Sequence, residues 1–97
     1  MKVELSDQVF DFVMSQAPVP RKGLRSALKG LSKEEGDIKP LEKELDRCLR
    51  LRYRGYRIIF RYEIVNKKRK ILCDFAERRG LVYEIFSKNI RDILSGS

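Results

Sequence analysis

The sequence predicts an α+β fold in which an N-terminal strand and a helical hairpin precede an antiparallel meander of about four strands, with the helices on one face of the sheet. Apolar residues recur at helical spacing in the first third of the chain, whereas they alternate with charged residues in the second half. The 97 residues suit one domain spanning 1–97, and an apolar fraction of 42% suffices for one modest core.

The N-terminal third is predicted to hold a strand and two helices. Met1–Leu5 forms a short strand, and Ser6 is a suitable N-cap for the first helix. The Pro-Val-Pro segment at 18–20 is expected to end that helix and to link it to a second helix from about Arg21 to Leu31. The apolar faces of the two helices contain Val9, Phe10, Phe12, Val13 and Met14, and Leu24, Ala27, Leu28 and Leu31, respectively.

The second half of the chain is predicted to form the sheet. Leu49, Leu51 and Tyr53 alternate with arginines, and a turn at Gly55 leads to a second alternating run over 56–63. Further strands are expected over 70–76 and 81–86, followed by a short C-terminal helix from Ser87. The preceding segment indicates only a turn at 36–37, an extended stretch at 39–41 and a short polar stretch at 42–46.

Composition restricts the possible functions. The net charge of +8 favours phosphate-rich partners, although acidic proteins and anionic membrane surfaces would also be attracted. No segment approaches the ~20 apolar residues that span a bilayer, and the N-terminus lacks a signal-peptide core, so we expect a cytoplasmic protein without a membrane partner. The absence of histidine excludes histidine-based acid–base chemistry. Cys48 and Cys73 are expected to be reduced core thiols, and no metal or other cofactor is predicted.

Arginines dominate one face of the predicted β-hairpin. Arg50, Arg52 and Arg54 share one face of the first strand, and Arg57 and Arg61 share one face of the second. Same-face residues lie about 6.6–7 Å apart, close to the phosphate spacing of an extended nucleic-acid strand. The plainer interpretation is a solvated outer face. Clustered like charges carry a cost that an anion would relieve, which favours a binding surface. Because the arginines point to this face, we do not expect it to hold a second buried core.

Three motifs between residues 36 and 86 resemble the RelE/ParE superfamily of toxin–antitoxin toxins. They are Gly36–Leu41 (GDIKPL), Leu49–Phe60 (LRLRYRGYRIIF), and Arg78-Arg79 followed by Val82-Tyr83. Their order and spacing match the family pattern, and the preceding strand and helical hairpin fit the family fold.

The resemblance implies a ribosome-dependent endoribonuclease that cleaves mRNA by metal-independent attack of the ribose 2′-hydroxyl on the adjacent phosphate. It also implies a catalytic set and a set of RNA-binding candidates around it. The catalytic set is Arg50, Arg52, Arg57, Arg79 and Tyr83; the RNA-binding candidates are Lys39, Arg47, Arg54, Arg61 and Arg78.

Two features of this set leave the activity open. Arginine is a poor base, so the proton acceptor would be a nearby carboxylate, Glu77 or Glu84. Tyr83 could stack on a base or move a proton, but an aromatic residue in an apolar strand is also typical of a core. The alternatives are a ParE-like inhibitor of DNA gyrase and a catalytically degenerate relative that binds only its antitoxin.

The resemblance also implies a cognate antitoxin, with the ribosome and mRNA as the other partners. We expect the antitoxin to contribute an acidic or amphipathic helix that wraps the helical hairpin and covers the arginines. Its contact surface is predicted to include Leu24, Leu28 and the C-terminal helix.

Overall fold

Two helices cover one face of a five-stranded sheet in the computed structural model, which describes residues 1–41 and 47–78. The elements are β1 (Lys2–Leu5), α1 (Asp7–Met14), α2 (Pro18–Leu31), β2 (Asp37–Pro40), β3 (Leu49–Tyr53), β4 (Tyr56–Val65) and β5 (Lys68–Arg78). The sheet order is β1-β5-β4-β3-β2. The predicted fold class is confirmed. The polar stretch at 42–46, the strand predicted over 81–86 and the C-terminal helix lie outside the described residues.

The two edges of the sheet are formed by different kinds of pairing. β1 pairs parallel with β5, from Lys2 opposite Lys70 to Leu5 opposite Cys73. The other three pairings are antiparallel. The chain therefore passes from one edge to the other through the two helices and then meanders back. No helix in the described ranges is both long and apolar enough to cross a membrane.

Helix α2 begins three residues earlier than the sequence indicated. Ala17 is its N-cap and Pro18 is its first residue, so the expectation that 18–20 is a linker is wrong. The first backbone N–H groups of a helix have no acceptor within it, which is why proline is tolerated in the first turn. The Arg21 N–H then donates to the Ala17 carbonyl at 2.9 Å.

Strand β2 was not predicted. Asp37–Pro40 pairs antiparallel with β3, with Ile38 opposite Leu51. The strand has only four residues and ends in proline, so its sequence gives little indication of β structure. Proline lacks a donor for the ladder and is confined largely to edge strands, which is where β2 lies.

The main core lies between the helices and one face of the sheet. Val9, Val13, Leu24, Leu28 and Leu31 pack against the buried sheet residues Leu51, Tyr56, Ile58, Phe60, Ile71, Cys73 and Ala76. Leu24 and Leu28 are therefore unavailable to a partner, contrary to expectation.

The apolar face of α1 is narrower than the sequence indicated. Phe10 is 53% exposed and Met14 is 44% exposed, whereas Val9 and Val13 are buried. Phe10 and Met14 are four residues apart, so they share one side of the helix and lie together outside the core.

A second, smaller apolar cluster occupies the opposite face of the sheet. Cys48 and Ile59 are both fully buried, and Leu41 and Phe75 pack against them. The prediction that this face carries no second core is wrong. The reason is that Leu41 and Cys48, at the two ends of the β2–β3 connection, lie over the sheet. Both cysteines are buried as expected, and burial raises the pKa of the Cys73 thiol to about 12.

The turn between β4 and β5 stores backbone strain. Asn66 and Lys67 both have positive φ values, 52° and 65°, as a two-residue type I′ turn requires. Asparagine tolerates this conformation, whereas a lysine pays roughly 1–2 kcal/mol for it.

We expect Lys67→Gly to raise the free energy of unfolding by about 0.5–1 kcal/mol, because glycine relieves the backbone strain of the folded state. The greater chain entropy of glycine in the unfolded state offsets part of this gain. Urea unfolding followed by circular dichroism measures the change. Lys68→Gly removes the same side-chain charge within β5 and should destabilise the protein. Equal effects of the two changes would contradict the assignment of strain to Lys67.

Candidate nucleic-acid interface

Four arginines lie on the sheet face opposite the helices: Arg50 and Arg52 on β3, and Arg57 and Arg61 on β4. We call this set the arginine face. Alternation along each strand directs Leu51 and Ile58 into the helix-side core and the arginines to the other side. All four are intermediate in exposure, and the side chain of Arg50 is only 15% exposed. They are thus more enclosed than a solvated outer row of charges would be.

Arg52 and Arg57 form the centre of this face. They are directly opposite each other in the β3–β4 register. Asp37 is opposite Arg52 on β2, and Glu77 is opposite Arg57 on β5. The row across four strands is therefore acid, arginine, arginine, acid, with the two like charges adjacent. Direct opposition of like charges destabilises a sheet, and the flanking carboxylates offset only part of that cost.

The outer carboxylate of this row interacts with another arginine. Nη1 of Arg50 lies 3.7 Å from Oδ2 of Asp37 and donates to the Asp37 carbonyl at 3.4 Å. Lys39 is opposite Arg50 in the β2–β3 register and is exposed. The carboxylate of Asp37 therefore orients Arg50 at the edge of the sheet.

Arg57 has a donor that is left without an acceptor. Its Nε is buried and has no hydrogen-bond partner within the part of the chain that the structure describes. Leaving a charged donor unsatisfied costs more than the roughly 1–3 kcal/mol of a neutral group. Glu77 is only 4% exposed, and burial raises the pKa of its carboxyl above the ordinary 4.5, while the charge of Arg57 acts in the opposite direction. An anion placed over Arg52 and Arg57 would offset part of the cost of holding two positive charges side by side.

Arg61 is held by a carboxylate that a β-bulge delivers. The β4–β5 register shifts from Ile59 opposite Phe75 to Phe60 opposite Cys73, which leaves Asp74 as the extra residue. Oδ2 of Asp74 accepts a hydrogen bond from Nε of Arg61 at 2.9 Å. The charge of Arg61 is thereby partly balanced inside the protein.

Two of the predicted residues, Arg54 and Arg78, are not on the arginine face. Arg54 lies in the β3–β4 turn with φ 52°, so its placement with Arg50 and Arg52 is wrong: β3 ends at Tyr53, and the guanidinium of Arg54 lies 5.7 Å from the Tyr53 ring centroid. Arg78 is opposite Tyr56 at the end of β5 and shares its helix-side face, and its contact with RNA stays a prediction.

Of the three further predicted residues, the structure describes only Arg47. Arg47 is exposed and precedes the buried Cys48. Arg79 and Tyr83 lie outside the described residues, so their roles remain predictions.

Two residues near the N-terminus position this face through contacts with β5 that gave no sequence signal. Gln8 on α1 donates from Nε2 to the Ala76 carbonyl and accepts through Oε1 from the Ala76 N–H, both at 2.8 Å. Ser6 donates from Oγ to the Asp74 carbonyl at 3.0 Å. These contacts fix β5 beyond the end of its pairing with β1. Neither the partner of Gln8 nor the bulge at Asp74 can be read from local patterns.

The raised pKa of Glu77 has a consequence for stability. A carboxyl that is harder to ionise in the folded state stabilises the fold below the unfolded pKa, and this contribution is lost as pH rises through the folded pKa. We expect Glu77→Gln to remove that loss, so that the free energy of unfolding of the variant falls less as the pH rises above 4.5.

Urea unfolding at several pH values measures the effect of this change. Glu4 provides the matched control, because its hydrogen bonds to Lys70 and Lys2 lower its pKa. Glu4→Gln should therefore change the pH dependence in the opposite direction. Parallel pH curves for Glu77→Gln and the unaltered protein would contradict the assignment.

Solved toxins share this architecture. No protein-family model matches the sequence, and no curated protein matches it significantly. A chain of the toxin–antitoxin complex RelBE2 from Mycobacterium tuberculosis has a TM-score of 0.67 at 20% identity, and the match covers 80% of this chain and 96% of that one. The YoeB/ParE toxin from Agrobacterium tumefaciens gives 0.63 at 13% identity, with coverages of 81% and 99%. The E. coli RelE toxin gives 0.62 at 13% identity, with coverages of 95% and 97%. The chain therefore has the fold of the RelE/ParE superfamily of toxins.

Proposed function

We propose that the chain is the toxin of a toxin–antitoxin pair and acts as a ribosome-dependent mRNA endoribonuclease. The observation that carries the proposal is the adjacent pair Arg52 and Arg57, with the buried Nε of Arg57 lacking an acceptor among the described residues. The structural neighbours support it: one is a chain of a toxin–antitoxin complex, and two are toxins.

The geometry of the pair suits a phosphodiester. Directly opposite residues in an antiparallel pair have Cβ atoms about 4.5–5.5 Å apart, so two guanidinium groups can contact the same phosphate. Each presents a planar set of donors that matches two phosphate oxygens. Arg50, two residues from Arg52 along β3, is about 6.6–7 Å away and suits the next phosphate of an extended strand.

The chemistry requires charge stabilisation and a proton acceptor. The ribose 2′-oxygen attacks the adjacent phosphorus, the bond to the 5′-oxygen breaks, and the products are a 2′,3′-cyclic phosphate and a 5′-hydroxyl. Arg52 and Arg57 would stabilise the negative charge that develops on the phosphorane oxygens. The family resemblance adds Arg79 to this role and Tyr83 to base stacking or proton delivery to the leaving oxygen.

Glu77 is the candidate acceptor for the 2′-hydroxyl proton. Arginine remains protonated at neutral pH and is a poor base. Glu77 is in register with Arg57, and burial raises its pKa, which brings it closer to the range of an effective general base. A metal ion has no part in this scheme.

We expect Arg57→Ala and Arg79→Ala to abolish growth inhibition when the chain is expressed in bacteria, because each removes positive charge from the transition state. Growth and mapping of mRNA 5′ ends measure the effect, with cuts inside translated codons expected for the unaltered chain. Arg69→Ala is the matched control. Arg69 lies on β5 near the β4–β5 turn and pairs there with Glu34, so this variant should remain toxic. An SOS response with intact mRNA would instead indicate gyrase inhibition.

The role of Glu77 is tested by single-turnover cleavage of mRNA on purified ribosomes. Loss of a general base reduces the rate by about 10²–10⁴-fold, so we expect Glu77→Gln to cleave at least about 10²-fold more slowly while binding ribosomes normally. Glu63→Gln, the same carboxylate-to-amide change at a half-buried position of β4 opposite Lys70, serves as the control. Undiminished cleavage by Glu77→Gln would place the base elsewhere.

A further inference from the structure

The outer side of helix α1 combines acidic residues with large apolar ones. Four exposed residues at the i, i+3, i+4, i+7 spacing occupy this side: Asp7, Phe10, Asp11 and Met14. We call this set the α1 stripe. The outer side of a surface helix is ordinarily polar along its whole length, and single exposed apolar residues need no explanation. Phe10 and Met14 are adjacent on the helix surface, so they form a small apolar patch between charges.

A cleft between the two helices extends this patch. It encloses about 270 Å³ and is lined by residues of β1, α1 and α2, namely Leu5, Phe10, Val13, Met14, Arg25 and Leu28. The lining is apolar apart from Arg25, whose long aliphatic stem can also cover apolar surface. The cleft can therefore accept a large apolar side chain from another molecule.

The neighbouring side of α2 is basic. A shallow depression along it is lined by four cationic residues, Arg21, Lys22, Arg25 and Lys29, which we call the α2 stripe. None of these four has an ion-pair partner within residues 1–41 and 47–78, and neither Asp7 nor Asp11 has one there. Arg25 lines both the depression and the cleft. The acidic stripe and the basic stripe therefore flank the same apolar patch.

The charges on this surface indicate what kind of partner it suits. Nucleic acid would be repelled by Asp7 and Asp11, and an acidic partner that covers the patch would meet the same two carboxylates. A partner must instead offer an apolar centre with an acidic edge and a basic edge. The surface itself has that composition. A two-fold axis through the cleft would bring the α1 stripe of one copy onto the α2 stripe of the other, so that each opposite-charge contact occurs twice.

We propose that two copies of the chain associate through the outer sides of α1 and α2, with Phe10 and Met14 at the centre. Asp11 of each copy faces Arg25 of the other, because both residues lie beside the apolar patch that the axis crosses. The arginine face is on the opposite side of the sheet, so both copies keep it free in the dimer. This inference goes beyond the proposed nuclease function and does not depend on it.

The dimer is expected to be weak and reversible. Its apolar centre is small, and interfaces that bury less than about 1,200 Å² belong to weak or transient complexes. The net charge of +8 also opposes association. That repulsion is screened over about 8–10 Å at moderate ionic strength, and the arginine faces of the two copies are separated by both sheets and both helix layers. We therefore expect a dissociation constant in the micromolar range.

Sedimentation velocity over a series of protein concentrations measures the dissociation constant of the full chain. Phe10→Ser and Met14→Ser remove exposed apolar surface at the centre of the contact, so each should weaken the dimer at least tenfold. Val19→Ser is the matched control. Val19 is 83% exposed and lies on the β3 side of α2, so its removal should alter the dissociation constant less than threefold.

Charge reversal tests the exchange of the two edges. Asp11→Lys and Arg25→Glu should each weaken the dimer at least tenfold, because each variant places like charges together in both halves of the contact. An equimolar mixture of the two variants should form a heterodimer within threefold of the original affinity, since the opposite charges face each other again. Lys67→Glu and Glu35→Lys make the matched charge changes away from the two stripes and should have less than a threefold effect.

Three outcomes would overturn the proposal: a chain that stays monomeric at sub-millimolar concentration, a mixture of the two charge variants that stays monomeric, and a dimer that Phe10→Ser leaves intact. If the chain stays monomeric but binds a short RNA or an acidic peptide, and Arg25→Glu abolishes that binding, the surface belongs to that ligand instead. Circular dichroism verifies that each variant is folded. The measurement contains neither RNA nor ribosomes, so its failure is distinct from failure of the nuclease proposal.

Discussion

The pairing of β4 with its two neighbours is the constraint on which the rest of the structure depends. β4 is ten residues long and hydrogen-bonds to β3 on one side and to β5 on the other. The register that buries Ile58 and Phe60 beneath the helices also sets Arg57 between Arg52 and Glu77. Because side chains alternate strictly, a slip of one residue would bury the arginines and expose the core. The main core and the candidate interface are thus consequences of the same ladder.

The arginine face carries a cost to folding that the proposed binding of an anion would offset. Its central pair places two positive charges side by side, and the acceptor-free Nε of Arg57 adds a desolvation cost within the described structure. Asp37 and Asp74 bind the outer arginines, Arg50 and Arg61, and leave the inner two with less compensation. Such an arrangement holds guanidinium groups in place before a ligand arrives, which lowers the ordering cost of binding.

Local patterns were sufficient for the elements whose signal lies within a few residues. The alternation from Leu49 to Tyr62 predicted the β3–β4 hairpin and the common face of Arg50, Arg52, Arg57 and Arg61, because strand periodicity is set by backbone geometry. Ser6 was identified as a cap, and its side chain accepts from the Val9 N–H. Short motifs with weak local preference were assigned less well: Pro18 begins a helix, and Asp37–Pro40 forms an edge strand.

By itself, the sequence determined the fold class, the arginine face of the hairpin and the identity of its charged groups. Only the tertiary structure decided which groups meet. The parallel pairing of β1 with β5, the bulge that brings Asp74 to Arg61, and the register that sets Glu77 opposite Arg57 join residues through the arrangement of the whole sheet. The physical reason is that periodicity arises within a single strand, whereas register and bulges depend on the packing of several elements at once.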